Sequence, residues 1–342
     1  MKTIGLFTGI YFNNIGNAFI DLGAEATLNA VLQENCSDFN VVKLSQCPFF
    51  ASSMGPGFAL KENKLVHWLW VKVMARYAHK LQDRTYAAIT PKKVFNLVDF
   101  SELDYLIIPG CDLTVPFIKI FGDVVKRAAV RGTRIIFLGA SGNFYTDHEI
   151  TVVTKFLEEL SPYAIMTRDS EAYKYYKDVC GNTYNGIDNV FFVNRMNPPV
   201  PKVKTTDSPF VVLNFDEPKH NNIKKSLESK LKAEGRKIVY TNHKPYPYSN
   251  IKKCADKGIM CSDQPLDYLY LYRNAEAVYS DRVHACIPTL SFGNQCQLFS
   301  DSPRIALFEN VGLHDIKKEL TMIQNLKQLQ EKQIDYLRRI LK

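Results

Sequence analysis

Short apolar runs alternate with amphipathic helical stretches along most of this chain, a pattern that restricts it to an α/β fold built on parallel sheets. In the first half the strand-like runs are 3–9, 39–44, 105–109, 134–138 and 163–166, and helical periodicity occupies 18–33, 65–80, 115–131 and 149–160. In the second half strands are expected at 210–214, 237–241, 277–280 and 296–298. Helices are expected at 223–234, 265–273 and around 284–292, with a long helical tract over 315–341. No internal repeat or low-complexity tract interrupts the alternation.

The 342 residues exceed what one ordinary core organises, and 46% hydrophobic with 23% charged residues is a globular balance, so two domains of similar size are expected. The boundary falls at Asn197-Pro198-Pro199-Val200-Pro201-Lys202, since three prolines in four residues can continue neither a helix nor a central strand. The expected organisation is a first domain over 1–196, a proline-rich linker over 197–209, a second domain over 210–314 and a C-terminal helix over 315–342. Parallel-sheet domains bind ligands at the C-terminal ends of their strands, so the cleft between the two is where chemistry is sought.

The formal net charge of +8 favours anionic partners. No long basic block and no nucleic-acid motif accompanies it, so a phosphorylated small molecule fits better than DNA or RNA. None of the eight cysteines (Cys36, Cys47, Cys111, Cys180, Cys254, Cys261, Cys286 and Cys296) forms a Cys-x-x-Cys pair, and free thiols in a reducing compartment are expected. Residues 1–10 are too short an apolar run for a signal peptide, and no stretch nears the roughly 20 apolar residues that span a bilayer. A cytoplasmic protein is expected.

The most informative segment is Ala277-Val278-Tyr279-Ser280-Asp281-Arg282-Val283-His284-Ala285. An apolar strand ends at Ser280 and a helix begins shortly after, which sets Arg282 and His284 beside unpaired N–H groups and the positive end of a helix dipole. Arginine there grips phosphate or carboxylate bidentately, and histidine exchanges a proton near neutral pH. An Arg282 paired with Asp281 and a His284 that caps the helix is the competing reading. A second strand-to-helix turn carries Thr167-Arg168-Asp169-Ser170, where Asp169 or Ser170 could cap the helix and leave Arg168 in water. A third, Gly9-Ile10-Tyr11-Phe12-Asn13-Asn14-Ile15-Gly16-Asn17, is a strand, a loop and a helix start.

Together these segments resemble the polysaccharide pyruvyltransferase family, whose signature runs from a strand through Ser-x-Arg-x-His-Ala into a helix and a glycine. Here it reads Ser280-Asp281-Arg282-Val283-His284-Ala285, then Phe292-Gly293. The strand at 296–298, Arg304 with Phe308, and Gly312-Leu313 resemble the element that follows, although the family more often has lysine at the position of Arg304. Asn294 replaces the usual proline, and Asn17 stands where an acidic residue is commoner.

The resemblance implies two Rossmann-like domains of the glycosyltransferase B type, with phosphoenolpyruvate as donor, a sugar or lipid-linked saccharide as acceptor, and no obligatory metal, cofactor or nucleotide. The first domain would take the acceptor and the second the donor. Arg168 and Arg282 would hold the donor's anionic groups, and His284 would act as acid, base or phosphate ligand. Asn14, Asn17, Gly110, Ser141, Asn214, His243, Ser280 and Arg304 are the further substrate-binding candidates, as most of them follow strands at the cleft rim.

The tract 64–81 holds both tryptophans and is helical in period, with Lys72, Arg76, His79 and Lys80 on one face. It reads as a core-facing helix with a solvated basic side. The sharper reading is peripheral contact with the inner face of an anionic membrane, which would suit a lipid-linked acceptor. Two functional alternatives stand beside pyruvyl transfer. One is a nucleotide-sugar glycosyltransferase, against which the second half shows no Gly-rich diphosphate loop. The other is a non-catalytic sugar- or anion-binding protein of the same fold. The oligomeric state is not legible.

Overall fold

A computed structural model describes residues 1–9, 14–33, 38–46, 50–51, 65, 68, 94–196 and 208–341. The first half forms a six-stranded parallel sheet from β1 (Lys2–Thr8), β2 (Phe39–Ser45), β5 (Tyr105–Pro109), β6 (Arg134–Ala140), β7 (Ala164–Thr167) and β8 (Thr183–Asn185). Their spatial order is β2-β1-β5-β6-β7-β8. A small antiparallel pair, β3 (Phe50–Ala51) with β4 (Val94–Phe95), stands apart from it. The second half forms a five-stranded parallel sheet in the order β11-β10-β9-β12-β13. Its strands are β9 (Val211–Asn214), β10 (Ile238–Thr241), β11 (Ile259–Met260), β12 (Ala277–Ser280) and β13 (Gln295–Leu298).

The central strands are continuous apolar runs because both of their faces are covered. All residues of β5, β7, β9 and β12 are buried. Helices begin where a side-chain oxygen can serve the first orphan N–H groups. Asn14 caps α1 (Ile15–Leu32), Thr114 caps α2 (Val115–Val130), Thr146 caps α3 (Asp147–Leu160) and Asp169 caps α4 (Ser170–Tyr176). In the second half follow α5 (Asn221–Ala233), α6 (Ser249–Ala255), α7 (Pro265–Asn274), α8 (Val283–Ser291), α9 (Ala306–Glu309) and α10 (Leu326–Ile340).

One apolar cluster runs from the first sheet into the second, through Phe19 on α1, Val190 to Val193, Tyr268 and Tyr272 on α7, and Ile287 on α8. Each large side chain buried there contributes about 1.5–3 kcal/mol, so the halves share a core and meet over apolar ground. Polar links close the seam: Ile15 N–H donates to the His243 carbonyl at 3.1 Å, and Asn310 Nδ2 donates to the Gly186 carbonyl at 2.8 Å.

The long C-terminal helix expected over 315–341 forms only as α10. Upstream of it, the chain runs along the edge strand β13, where Thr321 and Cys296 exchange backbone hydrogen bonds of 3.0 Å and Leu298 N–H donates to the Ile316 carbonyl. The open edge of the sheet competes for those backbone groups and wins them from the helix. Helix α10 then returns to the first half: Gln330 Nε2 donates to the Phe191 carbonyl at 2.6 Å, and Ile187 N–H donates to Gln333 Oε1 at 2.8 Å. The six described cysteines are free; Cys36 and Cys47 lie outside the described residues. So do residues 197–207 of the linker and most of the 64–81 tract. Among the described residues no helix is long and apolar enough to cross a membrane.

Candidate active site

In the second sheet the chain steps outward from β9 to β10 and β11, then crosses back to place β12 on the other side of β9. The crevice beyond such a reversal is where parallel sheets receive ligands. Ser280, at the end of β12, locks this point. Its Oγ donates to Asn214 Oδ1 at 2.9 Å and accepts from Arg282 N–H at 2.8 Å, and Asn214 Nδ2 donates to the Thr241 carbonyl at 3.2 Å. Asn214 and Ser280 thus fix the turn that presents Arg282 and His284.

Arg282 does not pair with Asp281. The Asp281 carboxylate faces the other way, accepting from the backbone of Asp216 at 3.0 Å and Glu217 at 2.8 Å and lying 3.0 Å from His220 Nδ1. Arg282 turns instead to Asp216, to which Nε donates at 2.9 Å, and to Glu217, 3.1 Å from Nη2. Its side chain keeps 23% exposure, so the guanidinium is anchored on one side and open on the other.

Arg168 is buried, at 1% exposure, and does not point to water. Asp169 supplies the helix cap by accepting from Ala172 N–H at 2.7 Å, which leaves Arg168 at the end of β7 to turn inward. Its Nε donates to Ser141 Oγ at 2.9 Å and its Nη1 to Asp188 Oδ2 at 2.6 Å. Asp188 is itself fully buried, and its other oxygen accepts from Val190 N–H at 2.8 Å, capping a 3₁₀ turn over Asn189–Arg195. Burial alone would raise the Asp188 pKa, but Arg168 and His284 beside it hold the carboxyl well below the usual carboxylate range.

His284 lies in the first turn of α8, at 5% exposure, with Nε2 3.8 Å from Asp188 Oδ2. That separation is an ion-pair distance and too long for a hydrogen bond, and Nε2 has no hydrogen-bond partner. Burial lowers the His284 pKa; Asp188 opposes the shift, while Arg168 and Arg304 add to it. Arg304 sits in a 3₁₀ turn (Pro303–Ile305), half-buried, and its guanidinium makes no hydrogen bond or ion pair with a described residue.

The remaining candidates divide between the seam and the fold. Asn14 caps α1 by accepting from Gly16 N–H at 3.2 Å, and Asn17 Oδ1 accepts from Asn14 Nδ2 at 3.4 Å. This end of α1 abuts His284 across the seam. His243, at 1% exposure, places Nε2 against the Tyr272 hydroxyl and leaves Nδ1 without a partner. Burial, then Arg282 and His284, push its pKa well below the ordinary histidine value. Gly110, at φ +93°, makes a turn tight against Ile20 and so serves the first sheet. Ile10, Tyr11, Phe12 and Asn13 lie outside the described residues.

The sequence did not single out Asp188 or Glu217. Asp188 precedes an apolar run and reads locally as an ordinary cap; nothing at that position announces an arginine twenty residues upstream and a histidine in the other half. Among the described residues no group of three His, Cys, Asp or Glu side chains is placed to hold a metal ion.

Comparison with known proteins bears on the fold and on the family. The fold is similar to that of a UDP-GlcNAc 2-epimerase from Methanocaldococcus jannaschii, with a TM-score of 0.54 and 9% identity over 98% of this chain and 99% of that one. A UDP-GlcNAc 2-epimerase from Neisseria meningitidis, bound to UDP-GlcNAc, matches with a TM-score of 0.50 and 12% identity over 100% of both chains. These neighbours establish the glycosyltransferase B fold expected from the sequence. No curated protein sequence matches the chain significantly. The model of the family described as polysaccharide pyruvyl transferase matches residues 14–300, which takes in Arg168, Asp188, Arg282 and His284. The chain therefore belongs to the polysaccharide pyruvyl transferase family and is a transferase.

Proposed function

We propose that the protein transfers the pyruvyl group of phosphoenolpyruvate to a sugar, closing a ketal across two of its hydroxyls. The observation that carries this reading is the convergence of Arg168, from the first half, with His284 and Arg304, from the second, on one buried polar point. Arg168 and Arg282 each have a carboxylate partner that fixes the guanidinium and leaves further N–H groups for a ligand, whereas Arg304 has no ion-pair partner among the described residues. Such a set suits a donor with a carboxylate and a phosphate close to −2. Each charge-assisted hydrogen bond to it would contribute roughly 1.5–3 kcal/mol.

The reaction needs a proton delivered to the enol methylene carbon, which makes that carbon a methyl group and leaves positive charge on its neighbour. A sugar oxygen bonds to that neighbour, the bond to the phosphate oxygen breaks, and a second sugar oxygen closes the ring. Of the two hydroxyl protons, one balances the methyl group and the other leaves with phosphate. His284 is the group suited to hold and pass on a proton here, and Arg282, Arg304 and Arg168 take up the charge of the donor and of the departing phosphate.

The acceptor, free or lipid-linked, would enter from the first half, past Asn14 and Asn17. No cofactor is required beyond phosphoenolpyruvate as co-substrate, and we place the reaction in the cytoplasm, where free cysteines persist. Incubation with phosphoenolpyruvate carrying ¹³C in its methylene carbon, beside a panel of saccharides, tests the reading. A new ketal methyl resonance with stoichiometric phosphate release supports it. Sugar transfer from a UDP-sugar without consumption of phosphoenolpyruvate would identify a nucleotide-sugar glycosyltransferase instead.

A further inference from the structure

We infer that Asp188 is a positioning residue for the reaction, orienting Arg168 from its own half and the His284 imidazole from the other half through a single carboxylate. The inference rests on the pyruvyl-transfer reading for its catalytic meaning, though not for its geometry.

Both Asp188 oxygens are committed. Oδ1 accepts from Val190 N–H at 2.8 Å, and Oδ2 receives Arg168 Nη1 at 2.6 Å while standing 3.8 Å from His284 Nε2. The carboxylate is fully buried and held at both ends, so it cannot rotate away from either partner. His284 Nε2 is buried and makes no hydrogen bond, and a ring movement of under about 1 Å would bring it to Oδ2. Catalytic hydrogen bonds are often long without substrate and tighten when it binds.

The charges around His284 make Asp188 decisive. The titratable and charged side chains facing the imidazole are Asp188, from the loop before the 3₁₀ turn, Arg168, at the end of β7, and Arg304, in the turn before α9. His243, after β10, faces it as well. Arg282 stands at the cap position of the same helix. Among these Asp188 is the one anion. Burial, Arg168 and Arg304 all disfavour an imidazolium, so the proton that His284 would handle is tolerated only because this carboxylate is there. The same oxygen binds Arg168, so the proton-handling group and the anion-binding group share one reference point.

Asp188→Asn is the direct test, since the amide keeps the shape and the Val190 cap but removes the charge. With His284 assigned by comparison with His284→Gln, its NMR titration in the protein without substrate is expected to move to lower pH by about one unit or more. The limb of the pH profile of pyruvyl transfer that reports His284 should move with it. An unchanged His284 midpoint in a folded variant overturns the inference. Should the variant not fold, ¹⁵N shifts of His284 in the wild-type protein decide. The Nε2–H tautomer is expected beside Asp188, and the Nδ1–H tautomer overturns the inference. Failure of the wild-type protein to bind phosphoenolpyruvate would sink the pyruvyl-transfer reading and leave these His284 measurements standing on their own.

Discussion

The backbone of Gly16 approaches His284 so closely that a β-carbon at position 16 would lie 2.8 Å from His284 Cβ and 3.4 Å from Nδ1. The start of α1 in the first half is therefore seated against the imidazole of the second. Gly16→Ala should push His284 or part the seam. Overpacking of this kind costs about 1–3 kcal/mol, and a misplacement near 1 Å at a reacting group can cost 10²-fold in rate. Steady-state kinetics beside thermal unfolding check this: kcat should fall by about tenfold or more with only a modest loss of stability. Wild-type kcat in Gly16→Ala would show that the contact has no bearing on His284.

Arg168 and Arg304 should separate stability from binding. Arg168→Met leaves the Asp188 charge buried without its guanidinium and should destabilise the fold by about 3–5 kcal/mol. Arg304 has no partner among the described residues, so Arg304→Ala should leave unfolding unchanged and weaken phosphoenolpyruvate by about 10- to 150-fold, the equivalent of roughly 1.5–3 kcal/mol. Denaturant unfolding and calorimetry on both variants give the comparison. Equal stability losses would contradict the assignment of roles.

Acid should act through Asp188. Its carboxyl is held low in the fold by Arg168 and His284, against burial, so its stabilising contribution is complete above the unfolded value near 3.9 and is lost as pH falls below it. The pH dependence of unfolding below about pH 4 should therefore be steeper in the wild-type protein than in Asp188→Asn. Parallel curves for the two proteins would mean that Asp188 is not held low.

The histidine pair acts at milder pH. Burial lowers the pKa of both His243 and His284 in the fold, so the unfolded chain binds protons first as pH drops below about 6.5, and stability declines from there. Thermal unfolding between pH 7.5 and 5.5 should show a falling Tm. A Tm that rises over this interval would mean that at least one imidazole gains its proton on folding.

How much of this was legible in the sequence depended on the range of the interaction. The strands at 105–109 and 277–280 form at their expected bounds because a central parallel strand is buried on both faces and writes itself as a continuous apolar run. Ser280, Arg282 and His284 were readable because strand, turn and helix are adjacent in the chain. The helix expected from 315 was wrong over 315–325, because helical periodicity there yields to hydrogen bonds offered by the distant edge of β13. For the same reason Asp188 was invisible, and nothing local pointed from Arg282 to Asp216 and Glu217. A buried ion pair between residues far apart in sequence leaves no local pattern.

The central claim, a phosphoenolpyruvate donor site built on these basic residues, is tested most directly by calorimetric titration of the protein with phosphoenolpyruvate beside UDP, GDP and CMP. Phosphoenolpyruvate alone is expected to bind, with binding abolished or strongly weakened in Arg282→Ala and Arg304→Ala. Binding of a nucleotide without phosphoenolpyruvate, or phosphoenolpyruvate affinity indifferent to both substitutions, would contradict it.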